Sequence, residues 1–188
     1  MNFKHPLILA SSSPRRQFLM KEVGFQFTVE SPDIDESFPA EMPLEEVPKY
    51  LAKKKAMVFK SKIDNQIVVA SDTVVILGNT IMNKPNNREE AISMLNKLNS
   101  NTHLVITAVC LLSKEKTDCF DDRTEVTFKK LTQQEIEFYV DHYKPYDKAG
   151  AYGAQDWLGM VGIEKINGSY FTVMGLPIHK VYEHLLQF

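Results

Sequence analysis

Stretches of continuous apolar residues alternate along the chain with stretches in which apolar residues recur every three or four positions. Residues 66–77 form the most apolar run and predict a strand that is buried on both faces of a sheet. Residues 87–98 place alanine, isoleucine and leucine side chains on one side of a helix. Because strands of this kind alternate with helices, and hairpins interrupt the order, we predict an α/β fold with a mixed sheet.

The remaining elements follow the same two patterns. Further strands are predicted at 6–10, 25–30, 103–112 and 124–128, and further helices at 14–23, 43–62, 132–143 and from Pro177 onward. Pro48 lies awkwardly inside the second helix and indicates a later start for it. The Asn167-Gly168 pair lies between two β-like runs and predicts a hairpin. No repeat or long linker interrupts the 188 residues, so we expect a single domain over 1–188.

Composition and charge exclude several classes of protein. A formal net charge of −2 argues against general nucleic-acid binding, and no apolar run is long enough to span a bilayer. The N-terminal residues do not resemble a signal peptide, so the expected location is the cytoplasm. The two cysteines, Cys110 and Cys119, flank a predicted hairpin and could approach each other, but reduced thiols are favoured.

The first predicted helix begins with a candidate anion site. Ser13 can cap the helix, and Pro14 suits its first position because a missing N–H costs nothing there. Backbone N–H groups and the helix dipole attract anions to such a start, and Arg15 and Arg16 follow directly. A capped surface helix with solvated arginines explains the motif equally well, so both interpretations stay open.

Asp72 interrupts the most apolar strand, where a carboxylate is costly unless it has a partner or a task. It could bind a divalent cation or accept a proton from water, and this interpretation is favoured over one in which it only makes local backbone hydrogen bonds. Glu36 belongs to an acidic loop cluster and could join Asp72 as a metal ligand. Acidic loops are usually only solvated, so spacing alone does not favour Glu36.

Three further segments carry candidate binding groups. Lys84 lies at a turn before a helix and can reach a phosphate, although surface lysines at turns are common. Three lysines at 53–55 lie on one helix, and at least two of them are expected to be solvated. Gln155 ends a loop of small residues that is either a flexible turn or a site of close ligand approach, where Gln155 could read a base edge. P-loop, dinucleotide-binding, nucleophile-elbow and zinc-spacing patterns are absent from the sequence.

Taken together, these segments resemble the motifs of the Maf family of nucleoside triphosphate pyrophosphatases, over nearly the whole chain. They occur in family order: LASSSPRR at 9–16, DE at 35–36, LAKKKA at 51–56, SDTVV at 71–75, NKP at 83–85, KAGAYGAQ at 148–155 and INGSYFTVMGLP at 166–177. Each motif alone is weak, but the ordered combination is specific.

The resemblance implies a hydrolase that cleaves the α–β phosphoanhydride of nucleoside triphosphates to a monophosphate and pyrophosphate, with a divalent metal cation, Mg or Mn. It also implies a mixed twisted sheet with flanking helices, in two lobes around a cleft, similar to the inosine triphosphate pyrophosphatases. Members are commonly cytoplasmic dimers and are linked to septum formation and cell-division arrest. The implied partners are therefore a nucleoside triphosphate and a second copy in a homodimer, without stable nucleic-acid or membrane binding.

The resemblance also assigns roles to individual residues. Ser13 and Arg16 fall on the phosphate-binding pattern of the family, and Asp72 falls on its proposed proton acceptor. The acidic and lysine positions of the family's site correspond to Glu36, Lys55 and Lys84. We expect Asp72 and Glu36 to hold the metal.

Three positions distinguish the branch that acts on dTTP and UTP from a sister branch that acts on 7-methyl-GTP. The dTTP/UTP branch carries an arginine, a threonine and a glutamine, which correspond to Arg15, Thr73 and Gln155. The sister branch carries tryptophan, glutamine and glutamate instead. We therefore expect a dTTP/UTP pyrophosphatase. The alternatives are a 7-methyl-GTP pyrophosphatase and a non-catalytic nucleotide-binding regulator of division, the latter opposed by the presence of both Asp72 and Glu36.

Overall fold

A mixed sheet with flanking helices organises the protein, as the sequence predicts. The computed structural model describes residues 3–188. Within them the sheet has seven strands, ordered β2-β1-β3-β5-β6-β7 with β4 beside β3. The strands are β1 (Leu7–Leu9), β2 (Phe27–Val29), β3 (Ile67–Leu77), β4 (Thr80–Ile81), β5 (Thr102–Leu112), β6 (Thr117–Phe128) and β7 (Ile163–Asn167). β1 runs parallel to β2 and β3, whereas β4 and β7 pair antiparallel with β3 and β6.

Helices connect these strands. They are α1 (Pro14–Glu22), α2 (Val47–Met57), α3 (Arg88–Leu98), α4 (Gln133–Tyr143), α5 (Trp157–Gly162), α6 (Tyr170–Met174) and α7 (Ile178–Leu185), with short 3-10 turns at Leu44–Glu46 and Ala149–Ala151. Between residues 3 and 188, none of the helices is both long enough and apolar enough to cross a membrane.

Contacts along the chain define two compact units. The first contains the residues up to Asp72, together with Thr107–Asp122 and Gly175–Phe188. The second contains Thr73–Ile106 and Arg123–Met174. The expectation of a single domain stays a prediction.

Each unit has its own apolar core. In the first unit, Ala56 on α2 belongs to the same buried cluster as Ala70 on β3 and Cys110 on β5. In the second unit, Leu95 on α3 and Ile136 on α4 share a buried cluster. Small side chains between α2 and the sheet let the helix approach the strands closely, because protein interiors are close-packed. This packing fixes α2 against β3, the strand that carries Asp72.

Local sequence signals correctly predicted where several helices begin or end. α2 begins at Val47 with Pro48 in its first turn, which confirms the later start that Pro48 indicated. α4 begins with a complete capping box between Thr132 and Glu135, as predicted. α1 ends at Glu22, and Gly24 follows with a φ of +76°, which only glycine adopts easily.

Two predicted elements are wrong. β6 begins at Thr117 rather than at 124, because its first half is polar and belongs to the sheet through backbone pairing with β5. The Asn167-Gly168 pair ends β7 and leads into α6 instead of into a second strand. A Cβ atom on Gly168 would lie 2.5 Å from Thr124 Oγ1, so glycine is needed there for close approach to β6 rather than for a hairpin turn.

Candidate active site

The start of α1 in the first unit is built partly as the sequence predicts. Pro14 occupies the first turn and Ser13 the N-cap position, but the Ser13 side chain makes no capping hydrogen bond. The Ser13 backbone N–H donates instead to Ser11 Oγ, over 3.2 Å. The expectation that the Ser13 hydroxyl caps the helix is therefore wrong, since the Ser11 hydroxyl organises this turn.

Arg16 is anchored by three hydrogen bonds from its guanidinium within the first unit. Nε donates to the carbonyl of Gly175 at 2.8 Å, and Nη1 donates to the carbonyl of Ser71 at 2.9 Å and to Ser11 Oγ at 3.1 Å. Burial lowers the pKa of this guanidinium from its ordinary value, and the neighbouring Arg15 acts in the same direction. An arginine remains charged in proteins nonetheless. Arg16 therefore presents a fixed positive charge next to Ser71, within β3.

Lys55 joins the two candidate carboxylates of the first unit. Its Nζ lies 2.6 Å from Asp72 Oδ1 and 2.8 Å from Glu36 Oε1. Lys55 is 9% exposed and Asp72 is 8% exposed, so their ion pair is buried. Burial raises the pKa of the Asp72 carboxyl above its ordinary value, while Lys55 and Arg16 oppose this shift. Asp72 is thus a buried carboxylate that accepts a proton more readily than an exposed one does.

In the acidic loop, the carboxylate of Glu36 reaches this cluster, whereas that of Asp35 is engaged within the loop. Asp35 accepts hydrogen bonds from the backbone N–H and the hydroxyl of Ser37, and these contacts lower the pKa of Asp35. Lys54 Nζ donates to the Ser37 carbonyl at 3.3 Å and so ties the loop to α2. Glu36 lies between Asp35 and Ser37 in the sequence, and its half-exposed side chain reaches Lys55. The ion pair places Glu36, the residue that the resemblance singles out from this cluster, beside Lys55, and its role in a site stays a prediction.

The residues of the first unit fit a hard divalent cation. Among the described residues there is no group of three or more histidine, cysteine, aspartate or glutamate side chains placed to hold a metal. Mg²⁺ does not need such a cage, because it keeps several waters and is bound by one or two carboxylates together with substrate phosphates. Asp72 and Glu36, brought together by Lys55, supply two carboxylates of that kind.

In the second unit, Gln155 is oriented by its neighbour. Gln155 Nε2 donates to Asp156 Oδ1 at 3.2 Å, and the Tyr139 hydroxyl donates to Asp156 Oδ2 at 3.0 Å. Because a carboxylate only accepts hydrogen bonds, the amide nitrogen must face Asp156 and the amide oxygen must face away. Within the described residues, Gln155 Oε1 is buried and has no hydrogen-bond partner. A buried acceptor of this kind costs about 1–3 kcal/mol until something donates to it.

Gly153 makes this arrangement possible. A Cβ atom on Gly153 would lie 2.6 Å from Asp156 Oδ2 and 2.8 Å from Gln155 Nε2. Its backbone N–H donates to the Tyr139 hydroxyl at 3.2 Å. The small-residue loop is therefore a tightly packed part of the second unit.

Lys84 and Thr73 also belong to the second unit. Lys84 is exposed and follows Asn83, whose carbonyl accepts from the Gly150 N–H at 3.2 Å. The Met82 carbonyl accepts from the same N–H at 2.9 Å. The turn that carries Lys84 is thereby joined to the loop that leads to Gln155. Thr73 is half-buried in β3.

The predicted site residues thus divide between the two units. The residues of the first unit are Ser13, Arg15, Arg16, Glu36, Lys55 and Asp72. The residues of the second unit are Thr73, Lys84 and Gln155. Hydrogen bonds and ion pairs join Asp72, Glu36 and Lys55 directly, and Arg16 lies near enough to Asp72 to lower the pKa of its carboxyl.

Sequence reasoning missed the residues that hold the charged groups in place. Ser11, Ser71 and Gly175 anchor Arg16, and two of these contacts use backbone carbonyls, which no side-chain pattern reveals. Asp156 and Tyr139 orient Gln155. Asp156 follows Gln155 directly in the sequence. A carboxylate next to a residue that is a candidate for base recognition is a signal from which Asp156 could have been predicted.

Comparison with known proteins identifies the family to which the chain belongs. The family model described as Maf-like protein matches residues 6–188, so the chain belongs to this family. A dTTP/UTP pyrophosphatase of Bacteroides fragilis is 46% identical over 186 residues, which cover 98% of this chain and 96% of the relative. A dTTP/UTP pyrophosphatase of Flavobacterium psychrophilum is 48% identical over 181 residues, 96% of this chain and 93% of the relative.

Solved structures give a more distant likeness. The Staphylococcus aureus Ham1 protein matches with a TM-score of 0.44 and 15% identity, over 65% of this chain and 71% of that one. A HAM1 protein from Coxiella burnetii matches with a TM-score of 0.42 and 15% identity, over 66% of this chain and 73% of that one. Likenesses at this level carry no argument about the site.

Proposed function

We propose that the protein is a nucleoside triphosphate pyrophosphatase that hydrolyses dTTP and UTP to the monophosphate and pyrophosphate. The observation that carries this proposal is the buried Asp72–Lys55 pair, with Glu36 on the same ammonium and Arg16 anchored nearby. A buried carboxylate among fixed cations suits the activation of water next to a polyanion. The names of the full-length relatives supply the reaction and the bases.

The charges of the site suit a triphosphate. A nucleoside triphosphate carries about four negative charges, which arginine and lysine clamp through charge-assisted hydrogen bonds. Arg16 and Arg15 at the start of α1 bind phosphate oxygens, with the Ser13 hydroxyl and the helix N-terminus beside them. Lys84 adds a further phosphate contact. Arg15 and Arg16 hold the triphosphate in the unit that also carries Asp72, the group that activates water.

The reaction is a displacement at the α-phosphorus. The oxygen of a water molecule forms a bond to this phosphorus, and the bond from phosphorus to the α–β bridging oxygen breaks. Asp72 takes the proton of the attacking water, and the electron pair of the broken bond leaves with pyrophosphate. Lys55 keeps the Asp72 carboxylate ionised and oriented before the reaction.

Asp72 and Glu36 would hold the divalent cation, Mg or Mn. When bound, this ion supplies charge neutralisation on the leaving pyrophosphate. Glu36, on its loop, keeps the Lys55 ammonium between the two carboxylates.

Gln155 selects the base through its amide oxygen. The amide nitrogen is engaged by Asp156, so Oε1 is the group that Gln155 offers. The ring N3–H of uracil and thymine donates a hydrogen bond, whereas the N3 of cytosine only accepts one. Within the described residues Oε1 lacks a partner, and a base whose N3–H donates to it would supply one. Arg15 and Thr73 assist in this selection, as in the dTTP/UTP branch that the sequence resembles.

The location, the oligomeric state and the cellular role of the enzyme stay predictions from the resemblance. We expect it to work in the cytoplasm, to form a homodimer and to take part in septum formation. It is expected to bind neither nucleic acid nor membranes stably.

A pyrophosphate-release assay across dTTP, UTP, dCTP, GTP and 7-methyl-GTP, with and without Mg²⁺, tests the proposed function. The wild type should prefer dTTP and UTP and should need the metal. Asp72→Asn should reduce turnover by more than a hundredfold, because a carboxamide accepts no proton from water. Asp64→Asn is the matched control, since Asp64 is exposed and pairs only at the surface with Lys114. A folded Asp72→Asn protein with wild-type turnover would remove Asp72 from the chemistry, and a preference for 7-methyl-GTP would overturn the substrate.

A further inference from the structure

The two cysteines lie directly opposite each other on neighbouring strands. The β5–β6 hairpin is closed by a hydrogen bond of 2.8 Å from the Ser113 N–H to the Lys116 carbonyl. Cys110 lies three residues before Ser113, and Cys119 lies three residues after Lys116. The same register continues to the far end of the hairpin, where the hydroxyls of Thr102 and Thr127 meet at 2.8 Å. Both contacts fit one register, in which Cys110 lies opposite Cys119.

This position in the ladder suits a cross-strand disulfide. Opposite residues of an antiparallel pair alternate between hydrogen-bonded and non-hydrogen-bonded positions. Counting from the hydrogen-bonded Ser113–Lys116 pair, Cys110 and Cys119 form a non-hydrogen-bonded pair. The Cα atoms of such a pair are about 4.5 Å apart, which lies within the range of about 4.4–6.8 Å that a disulfide spans. Oxidation therefore requires little movement of the backbone.

The two side chains share one environment. Cys110 belongs to the buried cluster under α2 in the first unit, and Cys119 packs against that cluster half-exposed. Both cysteines are reduced, and each thiol shifts the pKa of the other. Cys119 is thus the thiol that solvent reaches, and Cys110 lies behind it.

The surroundings make the two thiols unequal. The hydrogen bond from Cys110 lowers the pKa of Cys119, burial opposes this shift, and the Lys53 ammonium on α2 adds to it. The hydrogen bond to Cys119 and burial raise the pKa of Cys110. The thiolate is the nucleophilic form of cysteine. Cys119 is therefore the attacking group, and Cys110 is positioned to resolve the product.

We propose that Cys119 and Cys110 form a peroxide-oxidised thiol pair, a modification site separate from the pyrophosphatase site. The Cys119 thiolate attacks one oxygen of hydrogen peroxide, the O–O bond breaks, and a sulfenic acid and one water form after proton transfer. Cys110 then loses its proton and attacks the Cys119 sulfur, which releases the second water and forms the disulfide. Two thiols are oxidised by two electrons, and one peroxide is reduced to two waters.

Thiol counting on the purified full-length protein tests the proposal. The reduced protein is treated with hydrogen peroxide, unfolded, alkylated and digested, because oxidation of its eight methionines would obscure an intact-mass shift. We expect both thiols to disappear together, a peptide pair linked through Cys110 and Cys119 to appear, and dithiothreitol to restore both thiols. Thiols that remain alkylatable, or a loss only through intermolecular dimers or sulfinic acid, would overturn the proposal.

Serine variants separate the two roles. Cys110→Ser should accumulate a sulfenic acid on Cys119 that dimedone traps, because no resolving thiol is present. Cys119→Ser should lose its remaining thiol about tenfold more slowly than the wild type loses its pair, because the Cys110 thiol is buried and its pKa is raised. Equal rates would show that Cys119 is not the attacking thiol. The peptide map of the wild type stands on its own if either variant fails to fold.

Discussion

Replacing Lys55 by methionine should destabilise the fold in a pH-dependent way. Methionine has nearly the length of lysine but no charge, so the substitution removes the ammonium that lies 2.6 Å from Asp72 and 2.8 Å from Glu36. Removing one partner of a buried ion pair typically costs about 3–5 kcal/mol. Because the Glu36 side chain is 49% exposed, the cost comes chiefly from Asp72.

Protonation of Asp72 sets an upper limit to this cost. Without Lys55, burial raises the pKa of the Asp72 carboxyl further above its unfolded value, so the folded state holds a proton that the unfolded state has lost. Neutralising a carboxyl of ordinary pKa at pH 7 costs about 4 kcal/mol, and at pH 5 only about 1.5 kcal/mol. We therefore expect a loss of about 3–4 kcal/mol at pH 7, shrinking as the pH falls to 5.

Urea unfolding with a chelator present measures this effect, because no metal then occupies the carboxylates. Lys55→Met is compared with the wild type at pH 7 and pH 5. Lys53→Met is the control, since Lys53 is exposed on the same helix and should change stability by less than about 0.5 kcal/mol. In the double variant Lys55→Met/Asp72→Asn, the buried charge is gone and most of the loss should be recovered. A loss below about 1 kcal/mol, or one that is equal at both pH values, would refute the reasoning.

Three further expectations follow, two from the candidate site and one from a buried histidine of the second unit. Arg16→Ala should reduce kcat/KM for triphosphates by about 1.5–3 kcal/mol of transition-state stabilisation, whereas Lys53→Ala should change it little; equal small losses would show that the anion site is misplaced. Gln155→Glu should lower kcat/KM for dTTP and UTP, because the new carboxylate faces Asp156 Oδ1 in place of a donor now at 3.2 Å; unchanged efficiencies would exclude Gln155 from base recognition. Burial lowers the pKa of His103 to about 4, so stability should fall by about 3 kcal/mol as the pH drops from 6.5 towards 4. Urea unfolding of His103→Gln should lack that slope, and a wild type without it would contradict the assignment.

Much of the fold was readable from local signals. The continuous apolar run of β3 and the capping box of α4 depend on neighbouring residues only, and both predictions are confirmed. The first half of β6 was not recognised, because its residues are polar and gain their strand conformation from pairing with β5. Non-local pairing of this kind leaves no periodic pattern in a single sequence.

In the candidate site, too, features that depend on neighbouring residues could be predicted, whereas contacts between distant segments could not. A carboxylate inside an apolar strand singled out Asp72 without any structure, and the structure shows it buried with a charged partner. That Lys55, rather than Lys53 or Lys54, would be this partner depends on which face α2 turns to β3. The anchoring of Arg16 by the backbone of Gly175 joins segments that are 159 residues apart, and no local pattern encodes it.

The close packing around Gln155 has a consequence for how base preference can change during evolution. Asp156 holds the amide nitrogen of Gln155 at 3.2 Å, and both side chains lie so close to Gly153 that a Cβ atom there would clash with them. A single mutation to glutamate at 155 would bring two carboxylates together and would be selected against before any new base could be favoured. Loss of the charge at Asp156 removes that barrier. On the proposed role of Gln155 in base selection, loss of the Asp156 charge would favour a later glutamate at 155, so the two mutations are expected to be epistatic.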